Sequence, residues 1–127
     1  MQIEYLREPI RFVQEEEFRS KLAQTLAPLV GKYSFVTGPG RSGAVASVYA
    51  SHFLGVPYVP YKRMVGENVL IVDTAVLSGR TIRKASSYYG GVDFVYMFNQ
   101  PPRVKFWYEE LSFVRGKGNE YIRRTGS

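Results

Sequence analysis

Apolar side chains recur at helical spacing in QEEEFRSKLAQTLAPLV, residues 14–30: Phe18, Leu22, Leu26 and Leu29 fall on one side. Glu15, Glu16 and Glu17 suit the positive end of a helix dipole, and Pro28 and Gly31 mark the exit. Residues 33–37 then read as a short buried strand. A second helix is predicted over 42–54, with Val45, Val48, Tyr49 and Phe53 as its packed face and Gly55 as its stop. Residues 56–61 form a strand candidate. NVLIVD, residues 68–73, is nearly unbroken in its apolar character, as expected of a strand covered on both faces, with Asp73 at its tip. Residues 80–89 read as a helix closed by Gly90 and Gly91, and 92–98 as a further strand.

Strands alternating with helices predict an α/β fold: a mostly parallel central sheet flanked by helices. Ligands of such sheets bind at the carboxyl ends of the strands, which here means the loops 38–43 and 73–81. The remaining residues are aromatic and basic. VKFWYEELSFV is expected to form an antiparallel hairpin or a lid, and GKGNEYIRRTGS a frayed tail. The whole reads as one compact domain with a core at about 14–98, a small aromatic hood at 99–115 and a flexible tail from 116.

Composition narrows the function. Hydrophobic residues make up 45% of the 127, enough for one core. No apolar run approaches the roughly 20 residues of a membrane span, and MQIEYLREPIRF lacks the apolar stretch of a signal peptide. The chain has no cysteine, which excludes disulfides and thiolate metal sites and fits a cytoplasmic setting. Its one histidine, His52, builds neither a histidine-rich metal site nor a catalytic triad alone and reads as structural. A formal charge of +6 favours anionic partners, nucleic acid or a phosphorylated small molecule, beside the plainer reading of a solvated basic surface.

Two loops carry candidate chemistry. Gly38, Gly40 and Gly43 spell G-x-G-x-x-G between a strand and a helix, the spacing of a dinucleotide-binding turn. That fold also wants an acid about 20 residues on, at the end of the next strand. Val59-Pro60-Tyr61-Lys62-Arg63 supplies none; Lys62 and Arg63 would suit at most a 2′-phosphate. The second loop is more specific. A buried strand ends in Asp73 and Thr74 and leads through Ala75, Val76 and Leu77 into a Ser78-Gly79-Arg80-Thr81 turn that opens a helix. Glycine allows close backbone approach, two hydroxyls are at hand, and free amides backed by the helix dipole face an anion.

This second stretch resembles the ribose-5-phosphate signature of the type I phosphoribosyltransferases: four apolar residues, two acids, two apolar residues, a variable one, then Thr/Ser-Gly-x-Thr/Ser. The match holds except at Thr74, where the family has its second acid. Gly38-Pro39-Gly40-Arg41-Ser42-Gly43 looks like the family's pyrophosphate loop, and SHFLGVPYVPYKR like the phrase linking the two loops. The resemblance implies 5-phosphoribosyl 1-pyrophosphate (PRPP) as donor, Mg2+ as cofactor and a nucleobase-type nitrogen as acceptor, with pyrophosphate released. It implies that Leu77, Ser78, Gly79, Arg80 and Thr81 hold the 5-phosphate. Asp73 and Thr74 would face the ribose hydroxyls, with Asp73 and Arg41 as the catalytic pair. Pro39, Gly40, Arg41, Ser42, Lys62 and Arg63 would hold pyrophosphate. Trp107 would cap the base. Mg2+ would be held by ligand oxygens and water rather than by direct protein ligands, with Asp73 acting through water.

Three departures bear on catalysis. Thr74 supplies a hydroxyl but no charge. Residues 64–67 leave a shorter loop than many relatives carry between the basic pair and the signature strand, so water exclusion falls to the C-terminal segment or to a second subunit of a homodimer. Leu77 stands where relatives acting on 6-oxopurines often have an aspartate. The competing expectation is a protein of this fold with reduced catalysis that binds a nucleotide, PRPP or RNA in a regulatory role.

Overall fold

The computed structural model describes residues 9–64 and 66–109. They fall into two compact units, Arg19–Gln100 and a smaller one built from residues up to 18 and from 101 onward.

The larger unit is an α/β layer structure. Three strands, β2 (Phe35–Thr37), β3 (Val69–Val76) and β4 (Phe94–Asn99), form a wholly parallel sheet in that order. Val36 pairs with Val69's neighbour Leu70, and Val72 with Val95. The strand expected at 56–61 is reduced to one parallel bridge, Val36 to Tyr58. Pro57 and Pro60 explain the shortening, since neither has an N–H for the ladder. Pro57 instead accepts from the Val36 N–H at 3.0 Å, and the Val59 N–H donates to the Val36 carbonyl at 2.9 Å. Leu70, Ile71 and Val72 at the middle of β3 are completely buried, as a strand covered on both faces requires.

Helix α2 (Gly40–Leu54) lies on the sheet by a face the apolar pattern did not show. Gly43, Ala46, Ser47 and Ala50 are buried, whereas Val48 and Phe53 stay 41% and 40% exposed. Small residues let the backbones approach. A Cβ on Gly43 would stand 2.5 Å from the Gly38 carbonyl carbon, and one on Gly38 would stand 2.1 Å from the Val72 oxygen. Gly55 ends the helix in the left-handed conformation, as predicted. Helix α3 (Arg80–Tyr88) packs Ile82 and Ala85 on Val69 and Ile71, with Phe35, Tyr61, Tyr89 and Tyr96 at the margin.

Helix α1 (Glu15–Leu26) carries its three acids in the first turn and buries Phe18, Leu22 and Leu26. Pro28 falls in a short 3-10 turn, Ala27–Leu29, that terminates it. In the smaller unit, β1 (Ile10–Val13) pairs in parallel with β5 (Arg103–Phe106), from Ile10 opposite Arg103 to Val13 opposite Phe106. The hairpin expected of VKFWYEELSFV is thus not antiparallel where it is described. Its first residues find a partner about 90 positions away along the chain, a pairing that local patterning does not encode. Residues 110–115 of the expected hood and the tail from 116 lie outside the described residues. Among the described residues no helix is long and apolar enough to cross a membrane.

Candidate functional site

Both predicted loops sit at carboxyl ends of parallel strands and run into helix N-termini. After β2 the chain passes Thr37 and Gly38 and enters α2 at Pro39, which caps with no side-chain bond. The first helical bond is the Gly43 N–H to the Pro39 carbonyl, 3.0 Å, so the amides of Gly40, Arg41 and Ser42 stand ahead of it. Gly40 has φ 68° with open space around it, and Arg41 is exposed. The three glycines therefore do different work. Gly38 and Gly43 bring the loop, α2 and β3 together backbone to backbone; Gly40 supplies a left-handed turn facing solvent.

The second loop is braced from within α3. Gly79 has φ 81° and begins the helix without a side-chain cap; the Arg83 N–H closes the first turn onto the Gly79 carbonyl at 3.0 Å. The Arg80 N–H reaches Ser78 Oγ at 3.2 Å. Arg83 folds back so that Nη1 donates to the Ser78 carbonyl at 3.1 Å and lies 2.6 Å from where a Gly79 Cβ would be. Arg83 was not foreseen. Its signal was present: a cation one turn into a helix, where the dipole disfavours it unless an anion is expected. Leu77 is 72% exposed at the start of the turn.

Asp73 is not at the strand tip. The β3–β4 ladder continues through Ala75–Phe98 and Val76–Asn99, and the Gln100 N–H adds a bond to the Val76 carbonyl at 2.8 Å. Asp73 lies inside the sheet opposite Tyr96, 8% exposed, on the strand face shared by Val69 and Ile71. Burial pushes its carboxyl from 3.8 up to about 6, against a smaller lowering from the Thr74 N–H that donates to Oδ1 at 2.8 Å. Strand alternation turns Thr74 to the opposite face, where it is 2% exposed. Nearby on β2, the buried Thr37 hydroxyl lies beside the Tyr89 hydroxyl without a well-formed hydrogen bond.

Lys62 and Arg63 sit in a tight turn closed by the Arg63 N–H on the Pro60 carbonyl, 3.0 Å. The Tyr89 hydroxyl donates to the Arg63 carbonyl at 3.0 Å and ties this turn to the end of α3. A cleft of about 610 Å³ gathers Pro39, Lys62, Arg80 and Thr81 from the expected set, together with Tyr61, Lys84, Ser87 and Tyr88 from outside it. Gly40, Arg41, Ser42, Arg63, Asp73, Thr74, Leu77, Ser78 and Gly79 of the expected set do not line the cleft itself. Trp107 belongs to the smaller unit. There it packs with Phe18, Phe106 and Tyr108 at ring-centroid distances of 5.5, 6.5 and 5.1 Å. Among the described residues no three acids or histidines cluster as metal ligands.

No protein-family model matches the chain, and no curated protein does. Solved structures do match. A purine phosphoribosyltransferase from Pyrococcus horikoshii Ot3 aligns with TM-score 0.63 and 17% identity over 77% of this chain and 93% of that one. A Helicobacter pylori xanthine-guanine-hypoxanthine phosphoribosyltransferase aligns with TM-score 0.61 and 12% identity, over 81% and 94%. A hypothetical protein from Neisseria gonorrhoeae with bound ppGpp aligns with TM-score 0.62 and 11% identity, over 81% and 90%. At these identities the likeness is one of fold: the chain is built as phosphoribosyltransferases are built.

Proposed function

We propose that the protein binds PRPP with Mg2+ and transfers its 5-phosphoribosyl group to a nucleobase-type nitrogen, releasing pyrophosphate. One observation carries this reading. Two uncapped helix N-termini, at Pro39 and Gly79, contribute to a single basic cleft at the carboxyl ends of parallel strands, and a buried acid lies on the strand leading into one of them. The turn at 77–81 takes the 5-phosphate on its backbone amides and on the Ser78 and Thr81 hydroxyls. Arg83 holds that turn open. Residues 39–42, with Arg41 and Lys62, take the pyrophosphate. A carbon–nitrogen bond forms at the anomeric carbon as its bond to pyrophosphate oxygen breaks. The electron pair leaves with pyrophosphate, and the acceptor nitrogen's proton goes to solvent. Positive charge develops on the ribose in the transition state, and an ionised Asp73 opposes it.

The donor set fits Mg2+ of one kind only. No carboxylate lines the cleft, so a hard cation would be held by the oxygens of PRPP and by water, with Asp73 of β3 acting only through water. Bound there, it would neutralise the leaving group.

A second reading rests on Thr74 and on the ppGpp-bound neighbour. With a threonine buried on the opposite strand face where the family has its second acid, the fold serves as a nucleotide- or PRPP-binding protein. Pyrophosphate release from PRPP and Mg2+, across adenine, orotate, uracil, xanthine, guanine and nicotinamide, separates the two. Turnover with any acceptor is the expected result. Tight binding of PRPP or ppGpp without turnover transfers the case to the second reading, and no binding of either removes both.

A further inference from the structure

The turn at 60–63 holds Lys62 at φ 78°. That is the third position of a turn in which positive φ makes glycine the rule. A lysine persists in such a place when its surroundings hold it there, and strain of this kind gathers at functional sites. The surroundings are aromatic. The Tyr88 hydroxyl points to the Lys62 carbonyl at 3.4 Å, and the Tyr89 hydroxyl donates to the next carbonyl at 3.0 Å. Lys62 Nζ lies 5.4 Å from the Tyr88 ring centroid and 5.9 Å from that of Tyr61. The two rings are 6.1 Å apart and tilted by 50°.

From this corner a groove runs back along α3. Arg80, Lys84 and Tyr88 follow one another at i, i+4 and i+8, so they line one helix face a turn apart, with Thr81 and Ser87 beside them. No carboxylate lines the groove. Among the described residues Lys62, Arg80 and Lys84 form no ion pair with an acid. PRPP binding as proposed needs Arg80 and Lys62 but gives no work to Lys84, Ser87, Tyr61 or Tyr88.

We propose that this groove is a track for single-stranded nucleic acid, with backbone phosphates on Arg80, Lys84 and Lys62 and a base stacked on the Tyr61–Tyr88 pair. The spacing favours an extended strand over a compact polyphosphate. The cations are strung out at about 5.4 Å per helical turn instead of converging on one point. A helix of nine residues offers about 13 Å of track, room for two or three nucleotides. Tyr88 turns its hydroxyl to the 60–63 turn, so it offers a ring face rather than hydrogen bonds to base edges. Such platforms bind any base. The net charge of +6 supports the same class of partner.

The test is fluorescence anisotropy of the whole protein with short labelled oligouridylate, as RNA and as DNA, across a potassium chloride series. The proposal expects Tyr88→Leu and Lys84→Ala each to weaken binding about fivefold or more, with Tyr88→Phe close to wild type because the ring remains. Lys84→Ala should also lower the salt slope by about 0.7, one single-strand phosphate contact, and leave PRPP affinity in calorimetry unchanged. Failure of wild type to bind the oligomer overturns the proposal, as does unaltered binding by both variants. Equal competition by inorganic tripolyphosphate, by a duplex of the same length or by polyglutamate overturns it too, since each would make the groove a general anion surface. Gly79→Val separates this proposal from the PRPP reading: it should abolish PRPP binding and leave the oligomer bound.

Discussion

Burial of Asp73 makes the stability of the fold depend on pH. Its folded pKa, about 6, lies above the unfolded 3.8, so between those values the folded chain binds more protons than the unfolded one. Stability therefore falls as pH rises through about 4 to about 6, and the full penalty is present above that window. At about 1.4 kcal/mol per pH unit the penalty is about 3 kcal/mol. Asp73→Asn should accordingly be more stable than wild type by about that amount in urea denaturation at neutral pH, and should lose the advantage near pH 4. A ligand that needs the carboxylate ionised should bind more tightly as pH rises through about 6, and with proton release below it. Thr74 behaves differently. Buried on the opposite strand face, it cannot be exchanged for the family's acid without burying an unpaired charge. Thr74→Asp should cost about 2–4 kcal/mol in the same denaturation experiment; a variant as stable as wild type would show that this position opens to water. Arg83 makes the third residue-scale prediction. Arg83→Ala frees the Ser78 carbonyl and loosens the Gly79 turn. Ribose-5-phosphate affinity should drop by about 1.5–3 kcal/mol, the range of a charged hydrogen bond, while pyrophosphate affinity changes little.

At the scale of elements, periodicity located α1, α2, α3 and the strands β2, β3 and β4 because each carries a local signal: apolar spacing, a stop glycine or an unbroken buried run. It misjudged the inner face of α2 because that face is built from absence of bulk. Gly43, Ala46, Ser47 and Ala50 score weakly as apolar residues, yet only they admit the approach of α2 to the Gly38 loop and β3. The same geometry separates the glycines of the fingerprint: two of the three are spent on packing, and the third, Gly40, supplies a left-handed turn facing open space. A quantitative contrast follows. Gly43→Ala puts a methyl 2.5 Å from backbone carbon, which nothing flexible can relieve, so it should destabilise by about 2 kcal/mol or more. Val48→Ala, on the face expected to be buried, should stay within about 0.5 kcal/mol. Thermal or urea unfolding of the two variants measures both. The pairing of β1 with β5 was illegible for another reason. Its signal lies in the match of two short, half-polar segments about 90 residues apart, and neither shows it alone.

For the molecule as a whole, the candidate site was legible as two loops but not as a surface. Sequence placed the Ser78–Thr81 turn and the glycine loop at strand ends. It could not show that α3 would add Lys84 and Tyr88 to the same cleft, because that depends on which way the helix turns its polar face. This arrangement sets an expectation that separates a PRPP site from a merely basic surface. A ligand held by folded geometry stabilises the native state by RT ln(1 + [L]/Kd), about 2.7 kcal/mol at a hundredfold excess over Kd. A ligand drawn by net charge alone binds the unfolded chain as well and stabilises far less. PRPP with Mg2+ should therefore raise the melting temperature by several degrees, and Gly79→Val should remove that rise, because a side chain there collides with Arg83 and demands a strained φ of 81°. Ribose-5-phosphate should give a smaller rise that Arg41→Ala leaves intact, whereas the PRPP rise should shrink in Arg41→Ala by the share pyrophosphate contributes. If inorganic sulfate at equal ionic strength shifts wild type and Gly79→Val as much as PRPP does, the cleft recognises charge and not the sugar phosphate, and the assignment of the two loops to one ligand fails.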